Sequence, residues 1–208
     1  MMVKELEQVL ARLWSDTEML WPFAYWSLLA LFGGLEVVLP AFRQVPQRIR
    51  RWPTNLGLGI VNMTLFPLVP VSAVWGAQWA ESQGLGLLNV AGEPWWSAVI
   101  ATFAIRSLAG YALHVVMHKI PAFWRLHRVH HLDTCLDVST SFRSHLLEFG
   151  VAFLVMVPFA IAFGLRPWAL IAYEIMEATV SLFSHANLRL PERLDRSLRW
   201  ILITPNMH

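Results

Sequence analysis

Cysteine is almost absent. The 208-residue chain contains one, Cys135, which excludes an internal disulfide and a zinc site built from cysteines alone. Charge is also scarce, with 14% of residues being Asp, Glu, Lys or Arg, against about 25% in an average soluble domain. This deficit excludes charge-driven disorder and an ordinary soluble enzyme of this size. The formal net charge of +2 gives no reason to expect nucleic acid as a partner. Histidine is missing from the first 113 residues, although eight follow: His114, His118, His127, His130, His131, His145, His185 and His208. The N-terminus lacks the basic region, short apolar core and small-residue cleavage site of a signal peptide. The first apolar segment is therefore expected to act as the insertion signal.

Apolar residues, by contrast, make up 56% of the chain. A membrane-spanning helix needs about 20 mostly apolar residues. Three segments qualify: Met19 to Leu39, Leu56 to Ala80 and Trp95 to Met117. A fourth region, Phe149 to Phe183, is broken by Leu165-Arg166-Pro167 into halves of about 16 residues. Each half is about 24 Å long as helix, short of a hydrocarbon core of about 30 Å. A re-entrant or tilted helical hairpin fits this pattern better than two straight spans. The expected fold is all-α: an integral membrane helical bundle of three long spans plus a helical hairpin, with a cytoplasmic histidine-rich cap.

The arginines mark topology. Arg43, Arg48, Arg50 and Arg51 follow the first segment, and Lys119, Arg125, Arg128 and Arg143 follow the third. The loop from Glu81 to Pro94 has neither Lys nor Arg. The positive-inside rule then puts the first and third loops in the cytoplasm. Trp21, Trp52, Trp79, Trp95, Trp96 and Trp124 lie near the segment ends, as in an interfacial aromatic belt. Near the C-terminus, Arg193, Arg196 and Arg199 alternate with Leu190, Leu194, Leu198 and Ile201. That spacing predicts an amphipathic helix on the cytoplasmic surface.

The histidines cluster at helical spacing. His114 and His118 stand at i and i+4, and His127, His130 and His131 at i, i+3 and i+4. Each set shares one helix face. Clustered imidazoles suit metal ligation, and five to eight of them suggest two metals. Zinc hydrolase motifs pair histidines with a nearby glutamate, and neither cluster here contains an acid. If residues 149–183 form a hairpin, the chain returns to the side of the first two clusters. His185 and His208 then join them there.

These residues resemble the fatty acid hydroxylase superfamily, also called the sterol desaturase family, in its bacterial-type branch. Its pattern has an H-x(3–4)-H box, an H-x-x-H-H box and a later H-x-x-H-H box, and here HVVMH and HRVHH match the first two. SHANLRLP around His185 and TPNMH at the end are also similar, so the resemblance covers Ser107 to His208. It divides the chain into N-terminal membrane spans and loops (residues 1–106) and a histidine-box catalytic region (residues 107–208). It implies an integral membrane di-iron oxidase that uses O2 to hydroxylate or desaturate a sterol, fatty acyl or related lipid. By matching position, His114, His118, His127, His130, His131, His185 and His208 are the expected iron ligands. His145, in place of the family's R-x-H-P-x-E histidine, is expected as a catalytic ligand or supporting residue, with Glu148 orienting an imidazole. No flavin motif is present, so electrons are expected from a cytochrome b5-like or ferredoxin-like donor. Arg125, Arg128 and the Arg193 to Arg199 face could dock an acidic donor.

The chain departs from the pattern at Ser107, often Asp; at Val115, often Arg; and at Leu146, usually Pro. It also stops at His208, the first histidine of the third box, so the next two would fall at positions 211 and 212. The expectation is a fragment or truncated homologue, impaired relative to a longer natural protein. The alternatives are a non-catalytic homologue that keeps a metal-binding or interaction surface, and a zinc-dependent membrane hydrolase.

Overall fold

A computed structural model describes residues 17–43, 48–65, 72–92 and 94–207. Helix is the regular structure among the described residues, which hold no strand beyond one isolated bridge between Pro40 and Leu188. In chain order the helices are α1 (Thr17–Val38), α2 (Arg48–Leu65), α3 (Ala73–Ser82), α4 (Leu87–Ala91), α5 (Trp95–Lys119) and α6 (Pro121–His131). A short 3-10 turn (Val138–Phe142) leads to α7 (Leu146–Phe163), α8 (Pro167–His185) and α9 (Glu192–Leu198).

Among the described helices, α5 and α7 are long and apolar enough to cross a membrane. A soluble protein would bury helices this apolar. Only 11% of the most apolar window of α5 and 17% of that of α7 are buried. Leu108 and Leu154 point outward with most of their surface exposed. These faces need an apolar solvent, and a bilayer supplies one while the helices satisfy their own backbone groups.

The segment from Leu56 to Ala80 is not one span. Helix α2 ends at Leu65, and a new N-cap forms at Ser72, whose extended backbone and side chain receive the Trp75 N–H. Residues 66–71, between the two helices, lie outside the described residues. Helix α2 is also mixed in character, with Asn55 and Asn62 buried.

The chain turns back at the expected break, but α7, expected as a half too short to span, is long and apolar enough to cross a membrane by itself. Gly164 ends α7 in the left-handed conformation (φ 62°), and its N–H reaches the carbonyls of Ala160 and Ile161. Pro167 opens α8 at its first position, where the missing N–H is no loss. The turn is seated on the far end of the bundle. Arg166 Nη1 pairs with Glu81 at 2.8 Å, and a Cβ on Gly86 would overlap the backbone of Gly164. The start of α7 and the end of α8 therefore meet the C-terminal end of α5, and the histidines of three helices gather there.

Two apolar clusters hold the bundle. Val74, Ala77, Leu88, Ala160, Leu165 and Leu170 pack at the turn end. Leu29, Phe32, Val138, Phe142, Leu182 and Leu188 belong to a second cluster beside the histidines. Phe142 lies against Gly59 so closely that a Cβ there would clash with its ring.

Candidate metal centre

Helix α5 presents His114 and His118 one turn apart, with their Nε2 atoms 3.2 Å from each other. The chain then breaks at Ile120, whose backbone is extended, and Pro121 starts α6. This corner folds α6 back over the end of α5. His118 comes to 4.8 Å, centroid to centroid, from both His127 and His131. The nitrogens of His114, His118 and His127 all lie within 4.8 Å of one another. His131 Nε2 stands 3.1 Å from His127 Nε2. His130 faces the other way and meets His185 at the end of α8, Nε2 to Nε2, at 3.0 Å. Its ring is stacked on His127 with centroids 5.6 Å apart, so the two groups adjoin.

Their outer nitrogens fix the tautomers. His127 Nδ1–H donates to Glu148 Oε1 at 2.8 Å. His130 Nδ1–H donates to the Arg143 carbonyl at 3.3 Å, and His185 Nδ1–H to the Ser181 carbonyl at 2.6 Å. Carboxylates and carbonyls only accept, so each Nδ1 carries a proton, and in the neutral ring each Nε2 turns a lone pair inward. The lone pairs of His130 and His185 therefore confront each other at 3.0 Å, an arrangement that a cation between them relieves. Two nitrogens held about 2.1 Å from one ion at angles of roughly 90–110° stand about 3.0–3.4 Å apart. The three closest Nε2 pairs, at 3.0, 3.1 and 3.2 Å, match that spacing. The donor set thus fits nitrogen-liganded metal. His127, His130 and His185 are buried, whereas His114, His118 and His131 are exposed, which leaves one side open to a co-substrate.

A buried polar network supports the second group. Asp133, two residues past His131, accepts from Arg51 Nε at 2.6 Å and Nη2 at 2.9 Å. It also accepts from Asn55 at 2.7 Å and Thr140 at 3.0 Å. Asp137 takes Arg51 Nη1 at 3.1 Å and the Trp52 indole at 3.2 Å. Burial pushes the Asp133 carboxyl up, but the Arg51, Asn55 and Thr140 bonds outweigh it and hold it below the usual carboxylate range. Arg143 extends the network, with Nη1 on Asn55 Oδ1 at 3.0 Å and Nε on the Val129 carbonyl at 2.8 Å. Its own carbonyl is the partner of His130. From α1, buried Glu36 accepts the backbone N–H groups of Val138 (2.6 Å) and Asn187 (2.8 Å) and pairs with Arg48 at 2.8 Å. One carboxylate thereby ties the segments that follow His131 and His185.

Six of the expected ligands come together, and Glu148 reaches the cluster. His145 has a local backbone partner as well. It caps α7, its Nδ1 accepting the Leu147 N–H at 3.1 Å, which occupies the one acceptor nitrogen of a neutral imidazole. His208 lies outside the described residues. Sequence reasoning missed Asn55, Asp133 and Asp137 and gave Arg51 a topological use alone. The available signal was a run of polar residues, Arg51, Asn55 and Asn62, along one side of α2.

No curated protein and no solved structure matches the chain. The model of the fatty acid hydroxylase family matches residues 99–208. That is more than half of the chain, it contains all of the converging histidines, and the chain belongs to the fatty acid hydroxylase family.

Proposed function

We propose that the protein is a membrane-bound non-haem di-iron oxidase that uses O2 to hydroxylate or desaturate a C–H bond of a lipid. The supporting observation is the set of Nε2 atoms gathered at 3.0–3.2 Å spacing, at one end of an outward-facing apolar bundle. His114, His118, His127 and His131 would hold one ion, and His130 and His185, with His208, the other. Bound iron would supply the redox chemistry with O2 that acid–base side chains lack.

The chain's own residues set the site. Glu148 holds the His127 ring in one tautomer, and the Arg143 carbonyl does the same for His130. The Arg51–Asp133 pair fixes the turn after α6. The outward apolar faces of α5 and α7 let a lipid approach from the bilayer. The exposed Arg125 and Arg128 beside the cluster suit an acidic electron donor, cytochrome b5-like or ferredoxin-like. The arginine distribution supports a cytoplasmic position for this end.

The test is metal analysis of purified protein in nanodiscs, with O2 uptake measured with and without reductant. Iron with reductant-dependent, lipid-dependent uptake supports the oxidase. Zinc with ester or amide cleavage and no need for reductant favours a hydrolase. Stability unchanged by chelation, without turnover, favours a non-catalytic scaffold.

A further inference from the structure

Midway along the bundle lies an ionic site that the histidine chemistry does not use. Arg106 is the twelfth of the 25 residues of α5. Its Nη2 meets Glu177 Oε2 of α8 at 3.0 Å, and its guanidinium lies over the Tyr173 ring at 5.2 Å. Gly110 makes room, since a Cβ there would stand 3.4 Å from Arg106 Nη1 and 3.7 Å from Glu177 Oε1.

Ionisable groups at this depth are costly and mark functional sites. The pair is also incomplete. Arg106 Nε is buried without a hydrogen-bond partner, and the Glu177 side chain keeps 44% of its surface exposed. A carboxylate exposed to hydrocarbon needs a polar contact. The register shows where that contact leads. Arg106 precedes His114 by eight residues on α5, and Glu177 precedes His185 by eight on α8. That interval stays on one helix stripe and spans about 12 Å along the axis. Both walls thus run from the ion pair to the histidines.

We propose that Arg106 and Glu177 bind the polar group of the lipid substrate and so set its position along the bundle. The charge pattern selects the group. The pair is neutral overall, so a carboxylate or an amine gains from one member what it loses to the other and still has to bring a third charge into the apolar bundle. A hydroxyl can donate to Glu177 and accept from Arg106, so the ligand is a neutral, hydroxyl-bearing lipid. That this lipid is the substrate rests on the oxidase reading; the binding site does not.

The test uses the protein in nanodiscs and a photoreactive hexadecanol with a diazirine on its alkyl chain. Labelling is competed with hexadecanol, hexadecane and palmitic acid. Hexadecanol is expected to compete about tenfold better than the other two, because the alkane forms no hydrogen bonds and the acid brings a third charge. Labelled peptides should come from α5 and α8. The double variant Arg106→Met/Glu177→Met replaces the pair with apolar side chains, a change that buried ion pairs commonly tolerate, and should abolish the preference. Leu108→Ala, on the outward face, should keep it. Equal competition by hexadecane overturns the proposal in the wild-type protein alone, whether or not the double variant folds. An unchanged preference in the double variant, or cross-links joining two copies through this face, overturns it too. Iron content on the same samples separates the two claims: a hydroxyl preference without iron defeats only the oxidase reading, and iron without the preference defeats only this site.

Discussion

Glu148 Oε1 accepts the Nδ1–H of His127 at 2.8 Å across 21 residues of sequence. The bond settles which nitrogen of His127 faces the cluster. Its other oxygen, Oε2, is buried with no hydrogen-bond partner, so the carboxylate is committed to that one ring. Replacing such a partner of a metal-bound histidine typically weakens metal affinity about 10–100-fold. Glu148→Ala should therefore lower iron affinity by about that factor while leaving the helical circular dichroism unchanged. A competitive chelator titration measures it.

The Arg51–Asp133 pair is a stability element as well as a scaffold. Removing one member of a buried pair commonly costs about 3–5 kcal/mol, because the other charge is left unpaired. Asp133→Ala should fall in that range, measured by thermal unfolding in detergent. It should also reduce iron binding at His130, since Asn55 and Arg143 lose their shared anchor.

The same carboxylate gives a pH dependence with a definite sign. The pKa of Asp133 is depressed in the folded protein, with Arg51, Asn55 and Thr140 overcoming the effect of burial. Its contribution is present above the unfolded value, about 3.9, and is lost as pH falls through the lower folded value. The stability difference between wild type and Asp133→Asn should thus be constant from pH 7 to pH 5 and shrink below about pH 4. A difference that grows on acidification contradicts the assignment.

Gly86 has φ +94° and lies against Gly164 at the hairpin turn. Gly86→Ala adds a Cβ where the backbone conformation disfavours one and where another backbone already sits. The expected loss is about 1–3 kcal/mol, read as a lower unfolding temperature with the iron affinity of the folded fraction unchanged.

Much of the site was legible because ligand spacing follows helical geometry. The i, i+4 and i, i+3, i+4 histidines needed only the assumption of helix to share a face, and α5 and α6 supply it. The break was legible for the same local reason, since Pro167 cannot continue α7, whereas the true length of α7 was hidden because its first turn, Leu146 to Glu148, was left out of the apolar run. The reading failed where the cause was remote or where one property hid another. A hydropathy window over Leu56 to Ala80 registers apolar character alone and does not detect the new N-cap at Ser72. Counting arginines by side of the membrane hid the pairing of Arg51 with Asp133, 82 residues away. The cap that His145 forms at the start of α7 was not read at all, because it depends on where that helix begins.

The central claim is that these histidines hold redox-active iron in two adjoining groups. The most direct measurement is the metal content of purified wild type beside His118→Ala and His185→Ala. The account predicts iron in preference to zinc in the wild type, with each variant losing part of it and retaining the ion of the other group. Zinc in place of iron, or iron content that neither substitution changes, would contradict it.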